Sequence, residues 1–423
     1  MAKFELELPL IQNWSCHNCG GCCKQHVIEI TDAEKKCIEA QGWDADDELK
    51  NTTVIESSGK THRLGHQPDG SCVFLNEDGL CRIHAKYGEP AKPLACRIYP
   101  YAFHPAGDDI AVSLRFSCPS VVENKGRPVD TQQAAIRELA RDVVPRDFRA
   151  IDPPPVKGGE QLQWDDLLQI VYMFDAVFAE NAPTLVSVLR SLLIADTLEE
   201  AKLGNLTPGQ LTELLQLIAQ DALAAIESVP SNLQRPKSVS RRHMRMLVAQ
   251  YTRHDTMADA AKGFRGYWQR FKTSISFTRG KGAIPAVRPE FSKATFEQIN
   301  QPFSVTEQDT IDEIMRRYFR VKLQGIHFCG AAYYHAPLVE GLRSLMLVWP
   351  SVMWLARWRA AGENRTEICS QDVITALTIV DHNHGYSEVL GLRSSRLRVS
   401  LLARMGQLQP LCLWYSRTPN GAA

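Results

Sequence analysis

The chain has 423 residues, of which 44 % are hydrophobic and 23 % charged, with 48 basic side chains balanced by 48 acidic ones. That length allows two or three domains. A formal charge of zero removes any global pull toward nucleic acid or an anionic membrane.

The opening stretch MAKFELELPLIQNW lacks the basic start and long apolar core of a signal peptide, because Glu5 and Glu7 interrupt it. Nine of the twelve cysteines then fall in the first 118 residues. Between them lie Gly-Gly, Pro-Asp-Gly and Asp-Gly turn signals and only short apolar runs, so residues 1–128 are expected to be irregular. Within that region Thr31 to Ala40 reads as one helix, capped by Thr31 with Glu34 as reciprocal partner. Val112, Leu114 and Phe116 alternate as a strand does, just before Cys118.

After about residue 128 the period becomes helical. Trp164, Leu167, Leu168, Val171, Phe174 and Phe178 form one apolar stripe, and Leu211, Leu214, Leu215, Ile218, Ala222, Ala225 and Ile226 another. Ile311, Ile314, Met315, Tyr318 and Phe319 begin a third. The richest runs from Leu338 through Leu342, Leu345 and Met346 to Met353, where Pro350 is expected to kink or end the helix near Trp349. Val373–Val380 and Val389–Leu402 are the last expected helices. Linkers are expected at 152–159 and 280–289. The expected fold is therefore mainly α: an irregular, cysteine-rich domain over 1–128, a helical domain with a basic segment over 129–289, and a C-terminal helical domain over 290–423.

No segment reads as transmembrane. Glu340 and Arg343 break the start of the most apolar run, and its charge-free part, Ser344–Ala356, falls short of the roughly 20 residues a span requires. A cytoplasmic location is expected, with thiols kept reduced and free to act as ligands.

The chemistry concentrates in the cysteines. Cys16-His-Asn-Cys19-Gly-Gly-Cys22-Cys23 spaces its thiols so that successive ones turn toward a common centre, with Gly20 and Gly21 permitting the tight backbone. Cys72 and Cys81 flank a reversal at Asn76–Gly79 that brings the first back beside the second. Cys96-Arg97-Ile-Tyr-Pro100 and Cys118-Pro119 complete the set. The candidate metal ligands are Cys16, Cys19, Cys22, Cys23, Cys72, Cys81, Cys96 and Cys118, with His17, His26 and His84 as substitutes. Cys37, Cys329, Cys369 and Cys412 read as small packing residues. Spacing alone leaves zinc, in one or two sites, and a four-iron cluster equally open. Arg82 and Arg97, each following a cysteine, could offset thiolate charge if they point inward.

These motifs, in this order over roughly residues 14–120, resemble the YkgJ-like cysteine-cluster family of zinc- or iron-chelating proteins. The long helical continuation is similar in architecture to its flagellin lysine N-methylase branch. That resemblance implies an iron–sulfur centre of the 4Fe-4S type, ahead of zinc. It also implies S-adenosylmethionine as a methyl donor and a partner protein presenting lysines. It carries over no catalytic residue and no residue that binds the methyl donor. The sequence holds no GxGxxG fingerprint and no CxxxCxxC spacing, which argues against a doubly wound methyltransferase domain and gives no support to radical chemistry. The alternative reading is a non-catalytic cluster protein: an electron carrier, a metal handler or an adaptor.

Three other features stand out. Residues 231–290 hold thirteen Lys and Arg against three Asp and Glu, with Arg241, Arg242, Arg245 and Arg253 close together and Tyr267, Trp268 and Phe271 downstream. A solvated basic face is the expectation there, ahead of nucleic acid. Asp381-His382-Asn-His384-Gly385 reads either as a small metal site or as a capped helix end, the latter favoured; His327, Cys329 and His335 stand alike. Tyr99, Tyr101 and His104 follow the Cys96 motif and are expected to pack a loop rather than line a site.

Overall fold

The computed structural model describes residues 4–43, 49–50, 52–230, 234–253 and 264–419. Part of the basic segment, 254–263, therefore lies outside the described residues.

The N-terminal region mixes short strands and short helices. Its strands are β1 (Leu6–Glu7), β2 (Asn13–Trp14), β3 (Glu29–Ile30), β4 (Ile55–Ser58), β5 (Thr61–Leu64), β6 (Tyr101–Ala106), β7 (Asp109–Leu114) and β8 (Arg127–Pro128). Its helices are α1 (Gly21–Gln25), α2 (Asp32–Ala40), α3 (Arg82–Tyr87), α4 (Leu94–Ile98) and α5 (Pro119–Val122). β6 and β7 form an antiparallel hairpin, and β1 adds to β7 in parallel, with Leu6 opposite Ile110. β2 pairs antiparallel with β8. The chain thus leaves this frame after Trp14 and returns at Tyr101, and the two rings meet edge to face at 5.2 Å.

The excursion between them has its own sheet, in the order β3-β5-β4, and its own small core of Ile30, Ile38, Trp43, Leu49, Leu64, Cys72, Val73, Phe74 and Ile83. α2 begins as its sequence requires: the Thr31 hydroxyl accepts from the Glu34 N–H, and the Glu34 carboxylate accepts from the Thr31 N–H at 2.7 Å.

The remainder is mainly helical: α6 (Gln133–Val143), α7 (Trp164–Ala179), α8 (Thr184–Glu200), α9 (Pro208–Ala225), α10 (Ser238–Tyr251), α11 (Phe264–Arg279) and α12 (Phe296–Ile299). After the two-residue β9 (Ser304–Val305) come α13 (Gln308–Gln324), α14 (Leu338–Met346) and α15 (Val348–Gly362). β10 (Glu367–Ile368) pairs in parallel with β9. It is followed by α16 (Ser370–Asn383), α17 (Glu388–Gly391), α18 (Arg393–Arg404) and α19 (Leu408–Ser416). One apolar core runs continuously from Leu6, through β7, α7, α8 and α13, to Tyr415. α15 is its axis, buried nearly all round and packed on α10, α14, α16 and α19.

The stretch Leu338–Gly362 has the length and apolarity of a membrane span, yet 89 % of its apolar window is buried against other helices. It also breaks earlier than the proline suggests. The helix ends at Met346 and restarts at Val348, placing Pro350 in the first turn of α15. There the missing N–H costs no hydrogen bond, so the proline sits inside the new helix and the break falls at Leu347, ahead of the expected Trp349. The expected strand before Cys118 is also shorter than its alternation: β7 stops at Leu114, and Phe116 packs beyond it against Tyr318 at 5.0 Å.

Candidate metal centre

α1 is a single turn that carries Cys22 and Cys23. Gly20 supplies the left-handed residue before it, at φ +65°, and a Cβ there would stand 3.2 Å from Leu75. Both the conformation and the closeness call for glycine. From α1 the Cys23 carbonyl accepts the Cys72 N–H at 2.8 Å, which ties the first motif to the second. The reversal at Asn76–Gly79 forms as expected. The Asn76 side chain accepts the Leu80 N–H at 2.7 Å, Gly79 takes φ +77°, and Leu75 bridges to Cys81. Cys81 precedes α3, Cys96 sits within α4, and Cys118 precedes α5 with Pro119 at its first position.

These elements bring seven of the eight candidate cysteines near at least one other. Cys22, Cys72, Cys81 and Cys96 lie near enough for their charges to act on one another, and Cys23 is hydrogen-bonded to Cys22. Cys118 feels Cys19 in the same way, and Pro119 and the Cys19 sulfur both lie beside Gly21. Cys16, exposed, bonds to the Asn18 side chain at 3.6 Å. Tyr99 is acted on by both Cys118 and Cys22.

Burial is the main force on these thiols. It pushes Cys72 and Cys96 up to about 12, and neighbouring cysteines add to the rise. Cys118 rises to about 11, again mainly by burial. For Cys22 the bond to Cys23 acts first and burial second, both upward. Lys92 opposes the rise at Cys96 and Cys22. Arg97, which would offset thiolate charge only if it pointed inward, pairs instead with Asp142 at 3.1 Å. Thiols so placed stay protonated until a cation replaces the protons, which suits a soft divalent metal or a cluster iron. The donor chemistry fits such a group. Among the described residues, however, no three His, Cys, Asp or Glu side chains are drawn to metal-binding distance.

The remaining cysteines are dispersed. Cys37 is exposed on α2, Cys329 and Cys412 are enclosed in the helical core, and Cys369 donates to Asp372 at 3.3 Å.

A second polar assembly lies where β7 meets the helices. Lys322 of α13 and Asp381 of α16 pair at 2.7 Å, both fully buried. The Lys322 ammonium also donates to the Leu114 carbonyl at 3.1 Å and contacts His327 Nδ1 at 3.2 Å. Asp381 accepts the Ser117 N–H at 2.9 Å. The two histidines of the Asp381–Gly385 run take different partners. His382 faces His26 at 4.9 Å, whereas His384 Nδ1 is 2.8 Å from the Tyr251 hydroxyl. With Asp381 committed to Lys322, this run is the end of α16 and not a shared-metal site. His104 stacks beside His327 at 4.3 Å, and Nε2 of His104, His327 and His384 has no protein partner. Burial, with the Lys322 charge second, lowers His104 and His384 to about 3 and His327 well below its ordinary value.

Lys322 was legible in principle. It occupies the same helical stripe as Ile311, Met315 and Tyr318, and a lysine on an apolar stripe signals a buried partner. Among the described residues, a cavity of about 370 Å³ opens between β9, α15 and α16, and one of about 320 Å³ lies where Pro105 and residues 151–155 meet Cys329 and His335; neither is lined by the N-terminal cysteines.

Residues 15–119 match the CxxCxxCC family, described as "Putative zinc- or iron-chelating domain". A stretch of 52 residues is 36 % identical to the Flagellar biosynthetic protein FliU of Salmonella muenchen, covering 12 % of this chain and 31 % of that protein. Over 52 residues the chain is also 36 % identical to the Lysine-N-methylases of Salmonella typhimurium and Salmonella choleraesuis, covering 13 % of each. The chain therefore matches under a third of the length of these curated relatives. No solved structure matches it.

Proposed function

We propose that this chain is a metal-binding protein whose N-terminal thiols hold an iron–sulfur cluster or zinc, and that its role is to carry, transfer or present that centre to a partner. The observation that carries the reading is that Cys22, Cys72, Cys81 and Cys96, from separate segments, lie near enough to act on one another electrostatically, with Cys72 and Cys96 desolvated. Cys22, Cys23, Cys72, Cys81 and Cys96 would form one donor set, with Cys16, Cys19 and Cys118 completing it or forming a second. Zinc there would supply a structural tie; a cluster would add one-electron chemistry. The chain's own part is to exclude water, fix the reversal at Asn76–Gly79 and release thiol protons as the cation enters.

Anaerobic purification followed by iron, zinc and acid-labile sulfide analysis tests the proposal. Iron with stoichiometric sulfide favours the cluster, zinc without sulfide favours the structural tie, and neither metal overturns the reading. Cys72→Ser and Cys96→Ser are expected to lower bound metal to less than half, while Cys412→Ala leaves it unchanged.

A second reading, methylation of protein lysines from S-adenosylmethionine, draws support from the short identity to the Salmonella methylases. It predicts transfer of labelled methyl groups to lysines of a host lysate by the metal-loaded protein. Protein that retains its metal but transfers no label leaves the binding role standing alone.

A further inference from the structure

We propose that Lys322 and Asp381 are positioning residues for the cysteine centre, gripping from the helical body the strand end that carries Cys118. The inference rests on the metal reading above and extends it to residues outside the cysteine region.

Both side chains are fully buried. Two apolar residues would fill that space at lower desolvation cost, so the pair calls for a role beyond stability. Besides a Lys322 contact to His327 Nδ1 at 3.2 Å, its further hydrogen bonds go to the chain at the end of β7. Lys322 donates to the Leu114 carbonyl at 3.1 Å, and Asp381 accepts the Ser117 N–H at 2.9 Å. β7 ends at Leu114, so the Ser117 group lies past the sheet ladder and must find another partner.

The residues between are held from the same side. Arg115 donates to the His382 carbonyl at 3.2 Å, and its guanidinium stands 3.8 Å from the Tyr386 ring centre. Phe116 packs edge-on against Tyr318 of α13. Cys118 follows directly, its N–H donating to the Arg115 carbonyl at 3.2 Å. The Ser117 hydroxyl also meets the Tyr99 hydroxyl at 3.1 Å, which brings the Cys96 loop to the same clasp. The location of the Cys118 sulfur is thus dictated by α13 and α16, about two hundred residues and more along the chain.

The test is anaerobic cobalt(II) titration of the reduced full-length protein, reading affinity and the sulfur-to-cobalt charge-transfer band. The double variant Lys322→Met/Asp381→Leu removes the pair without stranding a charge. With native far-UV circular dichroism, it is expected to bind cobalt at least tenfold more weakly. Its band should fall to the level of Cys118→Ser, and adding Cys118→Ser to it should cause no further drop.

A folded double variant with wild-type affinity and band overturns the inference, as does full additivity with Cys118→Ser. An undiminished band in Cys118→Ser itself removes Cys118 as a ligand and overturns the inference while the metal reading stands. Wild-type protein that takes up no cobalt overturns both. Should the double variant not fold, Asp381→Asn, which keeps an acceptor for the Ser117 N–H, is compared with Asp381→Ala, which does not. A band lost only in Asp381→Ala supports positioning through that bond; any other pattern overturns it.

Discussion

His104 and His384 are ordinary histidines in the unfolded chain and reluctant ones in the folded protein, where burial holds each near 3 instead of 6.5. A lowered folded value means the unfolded chain binds protons first. The stabilisation is complete above pH 6.5 and is lost as the pH falls toward 3. Between pH 6.5 and 5 each histidine is expected to remove about 2 kcal/mol. His104→Gln should therefore flatten the fall in thermal midpoint between pH 7 and 5, and an unchanged slope would assign the acid sensitivity elsewhere. At this scale the sequence was readable where a residue acts on near neighbours, as at Thr31 with Glu34 and Asn76 with Leu80. It was not readable at Asp381, whose partners Lys322 and Ser117 lie 59 and 264 positions away by number.

Among the elements, α2 depends on a local device. Thr31→Ala should lower stability by about 1 kcal/mol, measurable by urea unfolding, because the Glu34 N–H loses its acceptor. α14 depends on a close approach: a Cβ on Gly341 would come within 1.9 Å of the Phe328 carbonyl oxygen. Gly341→Ala should cost about 1–3 kcal/mol as the helix is forced off that turn; a wild-type melting profile would show that the turn yields freely. Amphipathic helices such as α7, α9 and α13 announce themselves by period. α8 does not: it is buried on nearly every face, so its apolar residues have no polar side to alternate with. The small sheet β3-β5-β4 was hidden for another reason, its strands being too short to establish a two-residue period.

At the scale of the whole molecule, two cores of unequal size coexist among the described residues. The helical one is extensive, while the excursion's nine residues offer little burial for the chain they must order. Metal should make up the difference. Chelation is expected to raise amide hydrogen exchange over residues 52–91 well before it affects α7, α8 or α15. Uniform exchange with and without chelator would mean that the excursion folds unaided. The clustering of thiols toward the front of the chain was plain from the sequence. How their segments are brought near one another was not, since that depends on the Cys23–Cys72 backbone bond and on strands formed at a distance.

The edge-to-face meeting of Trp14 and Tyr101 has a practical corollary. Whatever departs at one ring comes back at the other, so the two ends of the excursion lie side by side, although His26 and Arg97 within it also reach His382 and Asp142. Surgery becomes feasible there: a brief glycine–serine bridge could replace the excursion and leave the helical remainder with its strands β1, β2, β6, β7 and β8. Such a shortened molecule would let the two halves of the protein be studied, and mistrusted, separately.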